Sequence, residues 1–531
     1  MRDSVRQAAP DWRLATIVHS PGAEAPRQWS GARSTPRVLI ATAICLAIVA
    51  IAAASAPACV HWFLLPVFVC GVVCCLDGML LFSGDGRNLF QPVPLLGAFG
   101  FYFFFIAPIM HVAVDYWFTS EPWAPQDAPE DWRTWLGLMA TINVVGLGLY
   151  KLLYPHFTRL FQPRQTRTFS QLNVKALKSY GAMITITMFL LQVYIYYEFG
   201  GVGGFVDTFS SRAGHRWFAE FSGLGWLFTL AESFPLLLVI MCSVLFKNHL
   251  RRIHPLTLLA YIGATFVLVL LFGGLRGSRG NTIYTIAYII GIVHLTVRPL
   301  RGKLLVWIGC ASLLFMYIYG FYKSNPTVFG DPITLINTVT SSESRAQLEK
   351  TSGRSLQAVL LGDLDRSDLQ AYLLFRLLQE GSDVKLAYGR TYVEGALNFV
   401  PYRIFQYRPP GKLMYGTDAV FGPGTYKPGS RVSLKIYGLA GEAMLNFGPY
   451  SGAFAFILLA AAVGYVEGLS RRVSRSSDSR CYFLPILSIA CVVFLSSDLD
   501  NVIFLLSQHA LVPFILIKIC SSSAHSARAV S

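Results

Sequence analysis

Charged residues are scarce in this sequence. Of its 531 residues, 14% are Asp, Glu, Lys or Arg and 54% are hydrophobic, whereas a soluble protein of this length carries about 25% charged residues. So few charges cannot cover the surface of a water-soluble protein of this size. We therefore expect most of the surface to face lipid.

The sequence also lacks the cysteine spacing of a disulfide framework or a zinc site. Its ten cysteines lie within or at the ends of apolar segments, and none falls in the hydrophilic stretch 321–447. No paired Cys-x-x-Cys occurs. Asp363-Leu364-Asp365 has the form of a metal-binding Asp-x-Asp motif, but it precedes the helical pattern of 366–380. We expect neither a metal ion nor another cofactor.

Long apolar runs make up much of the chain. A membrane-spanning helix needs about 20 apolar residues, and twelve segments approach this length. They are 38–56, 59–82, 93–114, 134–153, 177–199, 223–246, 255–274, 281–297, 303–320, 449–468, 481–497 and 501–520. The sequence thus predicts an all-α polytopic membrane protein with about twelve transmembrane helices and one large, partly helical loop.

Lys and Arg counts in the loops predict the orientation. The net charge of +15 would favour nucleic-acid binding in a soluble protein, but here it is concentrated in alternate short loops, as the positive-inside rule expects. We expect no nucleic acid. The expected divisions are a cytoplasmic tail at 1–37, spans over 38–320, an external loop over 321–448, spans over 449–520 and a cytoplasmic tail at 521–531.

Two arginines break this trend because they lie where the seventh span meets the outer surface. Arg276 and Arg279 stand within Gly273–Asn281, among four glycines. Glycines let backbone amides approach a ligand, and the planar guanidinium suits phosphate. The segment indicates a site for an anionic, diphosphate-like group, and a glycine-rich turn with interfacial arginines is the alternative.

A second basic group follows the fifth span on the same side. It contains Arg212, His215 and Arg216, with Trp217 beside them. These residue types can bind phosphate or a sugar ring, and His215 can serve as a base. An interfacial basic and aromatic turn is the alternative interpretation.

Basic and aromatic residues alternate in the large loop between residues 398 and 412. The members are Tyr402, Arg403, Tyr407, Arg408 and Lys412. Aromatic rings stack on sugars, and cationic groups reach hydroxyls or phosphate; a packed loop with solvated charges is the alternative. Glu442 lies just before the tenth span, where a partly desolvated carboxylate would suit a general base or pair with a nearby Arg.

The order of these features resembles the O-antigen polymerase family, the Wzy-type oligosaccharide repeat-unit polymerases. The likeness covers mainly residues 270–450. It comprises Gly277-Ser278-Arg279-Gly280 opening a span, a large external loop with Tyr388–Tyr392, a Pro-basic segment ending in Lys412, and Gly441-Glu442 followed by Asn446-Phe447-Gly448. Members often show Pro-Arg and Lys-Pro in the loop, where this chain has Pro401-Tyr402-Arg403 and Gly411-Lys412-Leu413.

The resemblance implies a membrane-embedded glycosyltransferase of the lipid-donor, GT-C-like kind. Its donor and acceptor would be glycans linked through diphosphate to undecaprenol, polymerised into O-antigen, capsule or exopolysaccharide at the outer face of the bacterial inner membrane. A chain-length regulator and a flippase would be its partners in the lipid bilayer.

The same resemblance suggests roles for the candidate residues. Arg276 and Arg279, with Arg212 or Arg216, would hold the diphosphate, and Glu442 or His215 would take the acceptor proton. The loop would position the glycan through Tyr402, Arg403, Tyr407, Arg408 and Lys412. The alternatives are an O-antigen ligase, a twelve-span secondary transporter and a non-catalytic component of a polysaccharide export complex.

Overall fold

The fold is known from a computed structural model that describes most of the chain. The described residues are 34–82, 87–117, 128–162, 168–210, 225–276, 279–300, 302–324, 341–344, 346–347, 355–397, 400, 404–405, 408–427, 436–473 and 478–525. Within them the chain is almost entirely helical, with one two-stranded sheet. This confirms the all-α prediction.

Thirteen α-helices precede the large loop in the described residues. They are α1 (Ser34–Ser55), α2 (Leu64–Gly78), α3 (Pro92–Phe101), α4 (Ala107–Ala113), α5 (Trp132–Phe161), α6 (Val174–Glu198), α7 (Gly201–Ser210), α8 (Gly225–Ala231), α9 (Phe234–Leu245), α10 (Lys247–Arg252), α11 (Pro255–Phe272), α12 (Arg279–Ile292) and α13 (Gly302–Ser324). Strand β1 (Thr168–Leu172) precedes α6.

The large loop and the C-terminal part contribute nine more described helices. They are α14 (Ser367–Leu378), α15 (Arg390–Leu397), α16 (Lys412–Phe421), α17 (Gly438–Phe447), α18 (Ser451–Phe454), α19 (Phe456–Val473), α20 (Leu484–Ser496), α21 (Leu499–His509) and α22 (Leu511–Ile519). Strand β2 (Ser521–His525) follows. Short π-helical segments occur at Tyr102–Ile106, Val293–Val297 and Ala358–Asp363, and 3₁₀ turns at Pro57–Cys59, Met79–Phe82, Arg87–Phe90, Gly274–Arg276 and Ser479–Phe483.

Ten helical segments in the described residues are long and apolar enough to cross a membrane, and eleven if α21 and α22, bent by 44°, form one span. These eleven correspond to eleven of the twelve predicted segments, so the multi-pass architecture is confirmed. The twelfth, 303–320, lies on α13, whose described apolar part, Trp307–Tyr319, is shorter. The count of twelve therefore stays a prediction.

Several helix ends follow local sequence signals. The side chain of Asn173 accepts hydrogen bonds from the backbone N–H groups of Lys175 and Ala176 at the start of α6, as an N-cap does. Proline stands in the first turn of α3, α9, α11 and α20, where its missing N–H costs nothing. Gly448, with φ +90°, ends α17.

Helices α5 and α19 lie against each other at small residues. A Cβ placed on Gly146 would come within 2.3 Å of the Phe456 ring, and one on Gly464 within 2.7 Å of Phe157. Small residues allow helix backbones to approach closely in a membrane. Helix α5 continues beside α19 to Phe161, eight residues past its predicted end at 153.

Two apolar clusters form most of the core, and α20 contributes to both. Cys491 and Leu495 pack in the cluster that surrounds Phe456, while Ile486 and Val493 pack in the cluster that surrounds Tyr288. The large-loop helix α14 belongs to the first cluster through residues that the helical pattern of 366–380 singled out: Leu369, Tyr372 and Leu373. The loop is therefore integrated into the bundle.

The predicted C-terminal tail begins as a strand, which the sequence analysis did not anticipate. Strand β2 pairs antiparallel with β1, and Ser170 lies opposite Ser523. The carboxylate of Asp478 accepts a hydrogen bond from the backbone N–H of Ser170 at 3.4 Å. Three segments that the Lys and Arg counts assign to one side of the membrane thus meet at one end of the bundle.

Candidate functional site

The glycine-rich segment forms the junction between α11 and α12. Helix α11 ends at Phe272, a 3₁₀ turn covers Gly274–Arg276, and α12 begins at Arg279. A Cβ on Gly273 would lie 3.1 Å from Cδ of Glu232. Glycine at this position therefore lets a carboxylate approach the junction closely.

Arg276 is paired with that carboxylate. Its Nη2 lies 3.0 Å from Oε1 of Glu232, and its guanidinium stands over the Phe228 ring at 5.2 Å. Glu232 is 4% exposed and lies at the break between α8 and α9. A charge inside a span is costly without a partner, so the ion pair explains how Glu232 is accommodated.

Arg279 binds the large loop. Its Nη1 lies 2.9 Å from Oδ2 of Asp363, the last residue of a π-helical segment, and 3.5 Å from the carbonyl oxygen of Met316. The loop is thus fastened to the first residue of α12. The side chains of Arg276 and Arg279 are 18% and 12% exposed, so a ligand can reach both.

The next part of the loop is fastened to α4 by His111. Its Nε2 lies 3.0 Å from Oδ2 of Asp365, and its Nδ1 lies 2.6 Å from the carbonyl oxygen of Tyr116. Because both ring nitrogens face acceptors, the contacts fit the doubly protonated imidazolium. Asp365 also accepts hydrogen bonds from the backbone N–H and the hydroxyl of Ser367.

His111, Asp365 and Asp368 are the described residues that offer a ligand set for a metal ion. Their ligand atoms lie within 4.8 Å of one another, and all three residues are buried. Nitrogen and carboxylate oxygens suit a divalent transition metal. The 3.0 Å contact between Nε2 of His111 and Oδ2 of Asp365 fits an ion pair, and a bound metal ion would replace the proton between these two atoms.

Lys412 lies at the centre of a second group of charges. Its Nζ lies 2.8 Å from Oδ2 of Asp498 and 2.9 Å from Oδ2 of Asp500. Burial lowers the pKa of Lys412, but the two carboxylates outweigh burial and raise it. The ammonium is therefore a permanent positive charge that joins α16 to the start of α21.

Glu442 completes this group, which we call the carboxylate cluster: Glu442, Asp498 and Asp500 with Lys412. Oε1 of Glu442 accepts from the Thr391 hydroxyl at 2.8 Å, and Oε2 accepts from the backbone N–H of Leu499 at 2.7 Å. Burial, followed by the nearby charge of Asp498, raises the pKa of Glu442. Burial also raises the pKa of Asp498, against the opposing effect of Lys412.

The side chain of Asn446 links Thr391 to a turn with unusual backbone angles at Tyr388 and Gly389. Asn446 donates from Nδ2 to the Thr391 hydroxyl at 2.7 Å, and its Oδ1 accepts from the backbone N–H of Gly389 at 2.9 Å. Tyr388 and Gly389 have φ values of +49° and +83°, and a non-glycine residue in this region is uncommon. The Gly441-Glu442 and Asn446 motif therefore holds the Tyr388–Tyr392 motif.

Residues 363–370 connect the arginines to the carboxylate cluster. Asp363 contacts Arg279 at one end of this segment. At its other end, Nε2 of Gln370 donates to the carbonyl oxygen of Tyr437 at 2.7 Å, and the backbone N–H of Tyr437 donates to Asp498 at 2.9 Å. A continuous polar layer thus lies over one end of the bundle.

The structure places four of the predicted site residues in two groups and a fifth, Arg408, apart from them. Arg276 and Arg279 lie together at the start of α12, and Lys412 lies with Glu442 in the carboxylate cluster. Arg408 donates to the carbonyl oxygen of Val400 at 2.5 Å. Six further candidates fall outside the described residues: Arg212, His215, Arg216, Tyr402, Arg403 and Tyr407.

Sequence reasoning did not assign a role to several residues of this layer. Asp363, Asp498 and Asp500 are the partners of the candidate cations, and His111 binds the loop. One available signal was the position of Asp498 and Asp500 in the turn between the last two predicted spans. Acids placed beside a membrane face rich in arginine are expected to find cationic partners.

Comparisons with models of protein families, with curated proteins and with solved structures found no match to this chain.

Proposed function

We propose that this protein polymerises undecaprenyl-diphosphate-linked oligosaccharide repeat units into a surface polysaccharide. In this proposal it is a GT-C-like glycosyltransferase with twelve spans, cytoplasmic termini and the large loop on the outer face of the bacterial inner membrane. The observation that carries the proposal is the pair of partly exposed arginines at the start of α12, each held by a carboxylate.

The arginine pair suits a diphosphate at the membrane surface. Each guanidinium has five N–H donors, and the contact with Glu232 uses Nη2 of Arg276 while that with Asp363 uses Nη1 of Arg279. The carboxylates hold the side chains in place, which lowers the entropy cost of binding. The same groups would stabilise the diphosphate as it leaves, an electrostatic contribution.

In the proposed reaction, a hydroxyl of the acceptor glycan attacks the anomeric carbon of the donor. The bond between that carbon and the diphosphate oxygen breaks, and its electron pair goes to the diphosphate. Glu442 and His215 are the bases suggested by the resemblance. Glu442 is 3% exposed, so a substrate hydroxyl cannot reach it directly, and its contacts with Thr391 and Leu499 favour a positioning role.

The large loop would form the wall of the glycan site. It is fastened to α12 by Asp363, to α4 by Asp365 and to α21 by Lys412. The sequence predicted that Lys412 contacts the glycan, but its side chain is 5% exposed. Its contacts with Asp498 and Asp500 indicate that it stabilises the loop from the buried side.

The test is Arg279→Ala in proteoliposomes supplied with lipid-linked repeat units. Loss of one electrostatic donor is expected to slow chain elongation by about 10² to 10³-fold. Arg298→Ala is the matched control, because Arg298 follows the same helical span at its other end and donates to the carbonyl oxygen of Ile253. Elongation by Arg279→Ala at the unmodified rate would show that the diphosphate role is wrong.

Transport of an anionic or lipid-linked substrate is the second candidate. Two interrupted helices favour it: the break at Glu232 between α8 and α9, and the 44° bend between α21 and α22. Secondary transporters bind their substrates at such discontinuous helices. A lengthening ladder of glycans made without movement across the vesicle membrane supports polymerisation, whereas movement without a ladder supports transport.

A further inference from the structure

We propose that Asp500 is the base that takes the proton of the attacking sugar hydroxyl, and that Lys412 positions it. This inference rests on the proposed polymerisation and adds to it a catalytic residue that neither the sequence motifs nor the resemblance assigned. Asp498 anchors Lys412 from the buried side. The arrangement is therefore a three-residue chain, Asp498–Lys412–Asp500, that runs from the core to the surface.

Exposure increases along this chain. The side chain of Asp498 is fully buried, that of Lys412 is 5% exposed and that of Asp500 is 22% exposed. Nζ of Lys412 lies 2.8 Å from Oδ2 of Asp498, and 3.0 Å and 2.9 Å from Oδ1 and Oδ2 of Asp500. Of the three acids in the carboxylate cluster, Asp500 is the one that a substrate can reach.

Asp498 is itself fixed, so that Lys412 has a defined position. Oδ1 of Asp498 accepts from the backbone N–H of Tyr437 at 2.9 Å. The hydroxyl of Tyr437 donates to the carbonyl oxygen of Gly416, in the helix that Lys412 begins. Catalytic groups are effective when a surrounding set of contacts holds their geometry.

The backbone of Asp500 is held by a close packing contact. A Cβ on Gly395 of α15 would lie 3.1 Å from the nitrogen and 3.3 Å from Cα of Asp500. The carboxylate also accepts from the backbone N–H of Asn501 at 2.8 Å. The loop helix α15 thus fixes where this acid stands.

The residue after Asp500 carries an unsatisfied donor. Nδ2 of Asn501 is buried and has no hydrogen-bond partner among the described residues. Buried donors are almost always satisfied, and an open one costs free energy. We expect the Asn501 side chain to turn to a sugar hydroxyl when the acceptor binds beside Asp500.

Helix α21 connects Asp500 with the arginine end of α12. Eight residues further along, Gln508 accepts from Nδ2 of Asn281, two residues after Arg279, at 2.9 Å. Eight residues of α-helix extend over about 12 Å. In the proposed arrangement the substrate lies between these two ends, with its diphosphate towards Arg279 and its acceptor hydroxyl towards Asp500.

The chemical step balances with these groups. The hydroxyl oxygen forms a bond to the anomeric carbon, the bond to the diphosphate breaks, and the proton passes to the carboxylate of Asp500. The resulting acid returns its proton to water after the product diphosphate leaves. No oxidant or reductant is required.

The first experiment compares Asp500→Asn with the unmodified protein in proteoliposomes that contain lipid-linked repeat units. Elongation is expected to fall by about 10² to 10⁴-fold, while binding of the lipid-linked unit stays unchanged. Asp418→Asn is the matched control, because Asp418 lies on the helix that Lys412 begins and accepts from the backbone N–H of Tyr426. It is expected to elongate at the unmodified rate.

A second variant tests whether a folding defect, and not loss of the base, explains slower elongation by Asp500→Asn. Asp500→Glu keeps the charge that Lys412 needs but displaces the carboxylate by one methylene, so it is expected to fold and to lose part of the rate. Lys412→Met is expected to lower kcat for elongation with little change in KM, because the base loses the contact that positions it while the groups that bind the substrate remain. A merely structural lysine would lower the yield of folded protein and leave kcat per folded molecule unchanged.

The outcomes separate this inference from the function on which it rests. Elongation by the unmodified protein together with full-rate elongation by Asp500→Asn overturns the role of Asp500 and leaves polymerisation standing. An unchanged kcat per folded molecule in Lys412→Met overturns the positioning role of Lys412. An unmodified protein that binds lipid-linked units but never elongates them overturns both proposals.

Discussion

The carboxylate of Glu442 accepts a hydrogen bond from the backbone N–H of Leu499 at 2.7 Å. This contact joins α17, the last helix of the loop, to the first residue of α21. The other oxygen of Glu442 accepts from Thr391 of α15. Three segments that are far apart in the sequence therefore meet on one carboxylate.

Glu442→Gln tests this joining role. Glutamine has one acceptor oxygen, so its NH₂ group would either face the backbone N–H of Leu499 or require the Thr391 hydroxyl to accept where it now donates. We expect the free energy of unfolding to fall by about 1–3 kcal/mol, measured by thermal unfolding in detergent. Glu380→Gln, at an exposed position after α14, is the control; equal stability of the two variants would contradict the assignment.

The pH dependence of stability gives a separate prediction for Glu442. Burial, followed by the charge of Asp498, raises the pKa of Glu442 above its usual value near 4.3. Since the folded state binds this proton more tightly, its contribution is fully present below about pH 4 and is lost as pH rises through the raised pKa. Melting temperatures measured from pH 5 to pH 9 should fall in the unmodified protein and fall less in Glu442→Gln. Parallel curves would contradict this explanation.

Hydropathy predicted most of the membrane part of the fold. Eleven of the twelve apolar segments became helices that pass a length and composition test, with the last as a bent pair, because a span is a local property of about 20 residues. The loop helix α14 was also predicted from the spacing of Leu369, Tyr372 and Leu373. The pairing of β2 with β1 was not predicted, because the polar sequence of β2 carries no strand pattern.

The candidate site was predicted in its cations and in Glu442, but not in the acids that pair with the cations. Glycine and arginine types near a predicted membrane face identified Arg276 and Arg279, but nothing local indicated Asp363 as the partner of Arg279. Lys412 meets Asp498 and Asp500 across more than 80 residues, and such long-range pairing has no periodic signal. The break of the sixth predicted span at Glu232 was missed for the same reason, since Arg276 stabilises it from another helix.

The pair of Glu232 and Arg276 makes a prediction for stability. Breaking a buried ion pair by removing one partner leaves an uncompensated charge and costs about 3–5 kcal/mol. Because Arg276 is partly exposed, we expect Glu232→Gln to cost less than Arg276→Gln, which leaves the carboxylate inside a span. Thermal unfolding in detergent measures both.

The double variant Glu232→Gln with Arg276→Gln completes this test. Removing both charges is expected to cost less than the sum of the two single changes, because no uncompensated charge remains. Additive effects would show that the two side chains stabilise the fold independently, against the 3.0 Å contact.

At the opposite end of the bundle, where β1 and β2 pair, the carboxylate of Asp478 links β1 to Arg480. Its carboxylate accepts from the backbone N–H and from Nε of Arg480 at 3.0 Å and 2.8 Å, and from the backbone N–H of Ser170 in β1. Burial raises the pKa of Asp478, but these hydrogen bonds outweigh burial and lower it below its usual range. Its stabilising contribution is therefore present at neutral pH and is lost only as pH falls through this lowered pKa.

Asp478→Asn should lower the free energy of unfolding at pH 7 by about 1–3 kcal/mol, because a charged acceptor in a buried position is replaced by a neutral amide. Glu380→Gln is the control, because Glu380 lies at an exposed position after α14, where a charge contributes about 0–1 kcal/mol. Removal of β2 should reduce the effect of Asp478→Asn, since Asp478 holds β1 and β1 pairs only with β2 among the described strands. An undiminished effect in the truncated protein would show that Asp478 acts through Arg480 alone.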